Sequence, residues 1–123
     1  MVKTIPRPEW AAELSGFTDR NAGRHTSLRV EMPEMGTRIH QWDYQLRGVV
    51  YDRRDDRIEI MIGGFEGVGP HLTHSIGGVE AVDLITDSTG RDEGLRIAQR
   101  EGETILRIES LPDAGRALED NSA

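Results

Sequence analysis

From Ser27 to Met32 apolar and polar side chains alternate strictly, with Leu28, Val30 and Met32 set against Ser27, Arg29 and Glu31. That period of two belongs to a strand with one face on a core and the other in water. The same rhythm returns at Ile58, Ile60 and Ile62 against Arg57, Glu59 and Met61, the clearest strand in the chain. Residues 37–42 and 45–51 predict two further runs, separated by a turn or bulge at Asp43 and Tyr44. The charged step Asp52-Arg53-Arg54-Asp55-Asp56 predicts a hairpin tip. Residues 71–76, a Gly77-Gly78 turn and residues 79–86 follow. After a polar loop over 87–94, Leu95, Ile97 and the run 104–108 flank a last hairpin with Gly102 in its turn.

Ahead of the strands the period is 3.6. Trp10, Leu14 and Phe17 recur at i, i+4 and i+7, with Ala11 widening the stripe, and predict a helix over residues 8–21. Pro8 suits its first turn, Glu9 complements the positive end of its dipole, and Gly23 is its natural stop. Gly16 costs about 1 kcal/mol relative to alanine and marks a place for the helix to fray or break. The connections between strands are too short for a parallel crossover, so the pairing is expected to be antiparallel. The expected fold is α+β, mainly β: an N-terminal helix packed on a curled antiparallel meander of about seven strands, with closure into a small barrel left open. Residues 4–110 are expected to form a single globular domain and 111–123 a flexible acidic tail.

Composition narrows the function classes. No apolar run in the 123 residues approaches the roughly 20 that a membrane helix needs, and the first residues lack the apolar core of a signal peptide, so a cytoplasmic location is expected. With no cysteine there is no disulfide, thiol nucleophile or thiolate metal site. Fifteen basic against 22 acidic residues give a net charge of −7, which disfavours nucleic acid and anionic lipid as partners.

The candidate chemistry begins at His71-Leu-Thr-His74. In a strand, positions i and i+3 point to opposite faces, so these two imidazoles do not chelate one metal without a bend. The alternation groups His74 with Leu72 and Ile76, and His71 with Thr73 and Ser75. The expectation is a half-buried structural His74 bonded to a backbone group and His71 at a loop edge; a metal would need a third ligand such as His40, Asp52 or His25. The glycine-rich stretch 63–69 has no lysine and runs into Pro70, unlike a phosphate-binding loop entering a helix, and reads as a hairpin loop. Asp52, Asp55 and Asp56 are interleaved with Arg53, Arg54 and Arg57, which would repel a calcium ion. No hydrolase elbow or His-Glu-x-x-His is present, and no cofactor is implied. Trp42 and Tyr44 lie where the inward register is ambiguous: packed, they belong to the core or its rim; exposed, they form an aromatic contact patch. His71, His74, Trp42 and Tyr44 are therefore the candidate functional patch.

Ile5-Pro-Arg-Pro-Glu-Trp10, Leu46-Arg-Gly48, Arg57-Ile-Glu-Ile-Met-Ile-Gly63, His71-Leu-Thr-His-Ser-Ile76 and Ile105-Leu-Arg107 together resemble a family of small, uncharacterised bacterial proteins known only as a domain of unknown function. The likeness spans residues 4–109, and its most specific piece is His-Leu-Thr-His-[Ser/Thr]-Ile. Pro8 departs from that family's pattern, where a polar helix cap is expected. The resemblance implies no activity, substrate or cofactor. The order of helix, glycine-containing strand, acidic turn and isoleucine-rich strand is also similar to that of Sm-like RNA-binding barrels, although the chain lacks their Asn-containing turn and carries extra strands; this is fold analogy. The favoured function is a non-catalytic module that binds a protein partner or itself through sheet edges. The alternatives are an Sm-like RNA-binding barrel, requiring Arg24, Arg29, Arg38, Arg47 and Arg53 on one surface, and an enzyme using His71 or His74 with a carboxylate.

Overall fold

The structure, a computed structural model, describes residues 1–64 and 71–109, and at Thr37, Gln41, Trp42 and Asp43 the backbone alone. The expected tail, most of the 63–69 loop and the Trp42 side chain lie outside the described residues. Within them a single antiparallel sheet of eight strands holds one helix. The strands are β1 (Val2–Ile5), β2 (His25–Met32), β3 (Thr37–Asp52), β4 (Arg57–Gly63), β5 (His71–Gly77), β6 (Val79–Thr86), β7 (Asp92–Gln99) and β8 (Gly102–Ile108), and α1 covers Trp10–Asn21 after a 3-10 turn at Arg7–Glu9.

The strand order is β1-β6-β7-β8-β2-β3-β4-β5. It departs from a simple meander at two places, because β2 lies between β3 and β8, and β1 pairs with β6 across most of the chain. Residues 37–52 form one long strand rather than two. Thr26 pairs with Tyr44 and Leu28 with Gln41, so Trp42 and Asp43 together oppose Ser27 in a bulge that bends β3 without ending it. A second irregularity lies at Arg47, between the Leu46–Ile62 and Gly48–Met61 pairs.

β5 runs into β6 through Gly78 alone, at φ 64°, yet β5 pairs with β4 and β6 with β7. Edge strand β5 and β6, the second strand from the opposite edge, are therefore joined covalently at this corner but not by ladder hydrogen bonds. The sheet curls around one core and does not close into a barrel; among the described residues β1 and β5 are its edges.

The helix occupies the place a ninth strand would take. β2 begins opposite Gln45, which leaves the second half of β3 without a partner on that side. There the Thr18 hydroxyl accepts from the Val49 N–H at 2.9 Å and lies 3.0 Å from the Val49 carbonyl, so a side chain stands in for a ladder partner. The Gly23 N–H donates to the Leu46 carbonyl and the Leu46 N–H to the Arg24 carbonyl, carrying the chain from α1 into β2. Trp10, Leu14, Phe17 and Asn21 form the buried stripe. Gly16 does not break the helix, because Thr18 and Asn21 anchor the turns beyond it.

Candidate functional site

β5 has no Pro, no bulge and a complete register against β4, from Arg57–Gly77 to Gly63–His71. The period of two therefore holds through the strand and sends His71 and His74 to opposite faces.

His71 is exposed. It lies over Gly63, where a Cβ would meet its Nδ1 at 2.7 Å and the Arg47 Nε at 3.0 Å, so the missing side chain at Gly63 lets imidazole and guanidinium share that spot. Arg47 in addition donates to the Gly64 carbonyl at 2.9 Å.

His74 turns inward, into an apolar cleft of about 150 Å³ lined by Leu28, Ile39, Ile62, Leu72 and Thr73. Its Nε2 is buried and has no hydrogen-bond partner among the described residues, which corrects the expected bond to a backbone group. The expectation rested on the rule that buried imidazoles find partners; here the neighbouring side chains are almost all hydrocarbon. Burial alone holds the His74 pKa below that of a free histidine. With its folded-state pKa depressed, the imidazole binds a proton more readily in the unfolded chain. Stability is then intact above the ordinary histidine range and falls as pH drops from about 6.5. None of the other lining residues titrates. His74→Leu is therefore expected to flatten the decline in urea midpoint between about pH 7.5 and pH 5.5 relative to the native chain; equal slopes in the two proteins would show that His74 does not cause it.

Tyr44 is partly buried and packs on the core. His74 and Tyr44 thus share the core side, His71 stands apart from them, and among the described residues no three His, Asp or Glu side chains are grouped to hold a metal ion. Of the five arginines named for RNA, Arg29 and Arg38 converge on Glu31, at 3.6 and 3.7 Å, whereas Arg53 lies past the far end of β3.

A polar constellation that sequence reasoning missed sits where the end of α1 meets the start of β7. The Asp92 side chain, only 8% exposed, accepts from Arg20 Nε at 2.7 Å and from Asn21 Nδ2 at 2.8 Å. Asn21, itself buried, also donates to the Phe17 carbonyl and accepts from Arg24 Nη1 at 3.1 Å. The hydrogen bond that Arg20 donates to Asp92 raises the Arg20 pKa further. With Gly90 and Arg91 these groups line a cleft of about 490 Å³. Residues 20–24 and 90–92 are some 70 positions apart, and no spacing rule connects them.

A curled eight-stranded antiparallel sheet, with one helix laid along an incomplete strand edge, defines a small α+β protein. The chain belongs to a family of unknown function, DUF5335, whose family model matches residues 1–115. No curated protein and no solved structure matches it. No helix among the described residues is long and apolar enough to cross a membrane.

Proposed function

We propose that this protein is a non-catalytic self-association module in which the edge of β5, left unpaired by the other described strands, pairs with β5 of a second copy. The observation that supports this reading is the contrast between the two sheet edges. β1 is four residues long and carries Lys3, which are two of the devices that keep an edge from pairing. β5 is seven residues long and, alone among the eight described strands, contains no Asp, Glu, Lys or Arg. In a chain that is 30% charged, that leaves one edge unguarded.

A second copy suits this edge because antiparallel pairing about a two-fold axis sets the strand against itself, and an uncharged strand meets no like charge there. Arg57 reaches across from β4 to the Ser75 hydroxyl at 2.7 Å and the Ser75 carbonyl at 3.2 Å, so pairing centres on residues 71–74. His71 and Thr73 flank the seam on the outer face, and Leu72 and His74 on the inner.

Thr73 is exposed, and Thr73→Lys brings two ammonium groups together only in the paired form. Sedimentation velocity is expected to show the native chain passing from monomer to dimer as concentration rises, and T73K remaining monomeric with an unchanged thermal midpoint. A native chain still monomeric at about 1 mM, where an association of about −4 kcal/mol is half formed, would overturn the reading. So would a T73K dimer of undiminished affinity.

A further inference from the structure

We infer that the cleft between the end of α1 and the β6–β7 connection is a binding site for a small phosphate monoester, with Arg24 and Arg91 as its anion-holding groups. Asp92 is satisfied within the protein: Arg20 and Asn21 both donate to its Oδ2, and Arg20 neutralises it. Arg24 and Arg91 have no carboxylate partner within 4 Å among the described residues, in a chain with more acidic than basic residues. Arg24 bonds only a neutral side-chain oxygen, that of Asn21. The guanidinium fork matches a phosphate's oxygens two at a time, which a carboxamide oxygen does not exploit.

The site is built rather than incidental. Asn21 is 1% exposed and the Asp92 side chain 8%, and these two buried polar groups fix the directions of Arg24 and Arg20. Burying a carboxylate costs desolvation, which the bonds from Arg20 and Asn21 offset here. Asp92 neutralises Arg20, and Asp87 lies near enough to Arg91 to interact with it, so an anion would be held by the two guanidinium forks directly rather than by a net positive field. Arg91 follows Gly90, which also lines the cleft, at a φ of 87°. Asp87 accepts from the Thr89 and Arg91 backbone N–H groups and the Thr89 hydroxyl, so its carboxylate shapes the turn. The cleft's volume of about 490 Å³ exceeds what a bare phosphate fills and falls in the range of small-molecule sites, which favours a monoester with a small organic group.

The test is an NMR titration of the full chain at low ionic strength, following the backbone amides of Asn21, Gly90 and Arg91, with sodium phosphate and with ribose 5-phosphate as probes. Both are expected to produce saturable shifts, the sugar phosphate binding about tenfold tighter because it fills more of the cleft. The R24Q/R91Q double variant is expected to stay folded, its thermal midpoint lowered only by loss of the Arg24 bond to Asn21, and to bind each probe at least about tenfold more weakly. Equal shifts with sodium chloride at matched ionic strength, or unchanged affinity in the double variant, would overturn the assignment. Phosphate binding with no gain for the sugar phosphate would overturn its monoester part. The titration is independent of β5 pairing, because T73K is expected to bind both probes as the native chain does.

Discussion

Trp10→Ala is expected to cost about 3–5 kcal/mol of stability, the range for deleting a large buried aromatic side chain. Trp10 is 2% exposed and ties together parts of the chain that are distant in sequence. Its indole N–H donates to the Ile5 carbonyl at 2.8 Å, holding the end of β1 against the start of the helix. The Arg7 guanidinium stacks 4.2 Å from its ring, and the Tyr51 ring meets it edge-on at 5.3 Å. Arg7 and Tyr51 then converge on Asp56, at 2.9 and 2.6 Å, while Arg7 also donates to the Val79 carbonyl at 2.9 Å. Truncation therefore opens a cavity and leaves the Ile5 carbonyl without its donor. It also removes the surface on which Arg7 rests to link the β3–β4 turn with the start of β6. Urea unfolding measures the loss. Trp10→Phe separates the contributions: it keeps most of the apolar area, loses the N–H, and is expected to cost about 1 kcal/mol for the hydrogen bond plus a smaller packing loss. A loss below about 1 kcal/mol for the alanine variant would mean that the indole is not seated as described.

The same residues show what a one-dimensional pattern carries. Ile58, Ile60 and Ile62 announce β4 because each inward position is large and each outward one is of another kind, and Trp10, Leu14 and Phe17 announce α1 in the same way. β1 made no such signal. Of Val2–Ile5 only Ile5 is buried, so the strand exists because β6 pairs with it some 80 residues later, a non-local term that four residues cannot display. Alternation grouped His74 with Leu72 and Ile76 on one face, but it does not say what lies across the cleft; Leu28 and Ile39 come from a hairpin brought there by the curl of the sheet. The bulge at Trp42–Asp43 was visible as an interruption, though not as one that leaves β3 continuous. Asp92 read as part of a polar loop, since its burial depends on Arg20 and Asn21 from an element far away in sequence. Periodicity assigns a residue to a face, and the neighbours of that face are set by topology.

Gly102 shows how topology can rest on one position, and Gly102→Ala is expected to cost about 3 kcal/mol, at the upper end of the overpacking range. The sequence placed this glycine in a hairpin turn, where it would serve by its freedom of φ. In the structure Arg100 and Glu101 make the turn, and Gly102 is the first residue of β8, paired with Gln99 and without a positive φ. What it supplies is room. A Cβ here would stand 1.9 Å from the Glu31 carbonyl oxygen and 2.9 Å from both the Glu31 carbonyl carbon and the Met32 Cα. All three are backbone atoms, so no rotamer change relieves the clash, and the end of the β2–β8 ladder must separate. That ladder joins the β1-β6-β7-β8 half of the sheet to the β2-β3-β4-β5 half. Gly90→Ala is the matched control: its φ is 87° but nothing lies within 4 Å of the added methyl, so it is expected to cost only the left-handed strain of about 1–2 kcal/mol. Hydrogen exchange at Glu31, Glu103 and Thr104 should accelerate in G102A and not in G90A. If G102A proves no less stable than G90A and those amides stay protected, β8 does not approach β2 as closely as the contact with Glu31 requires.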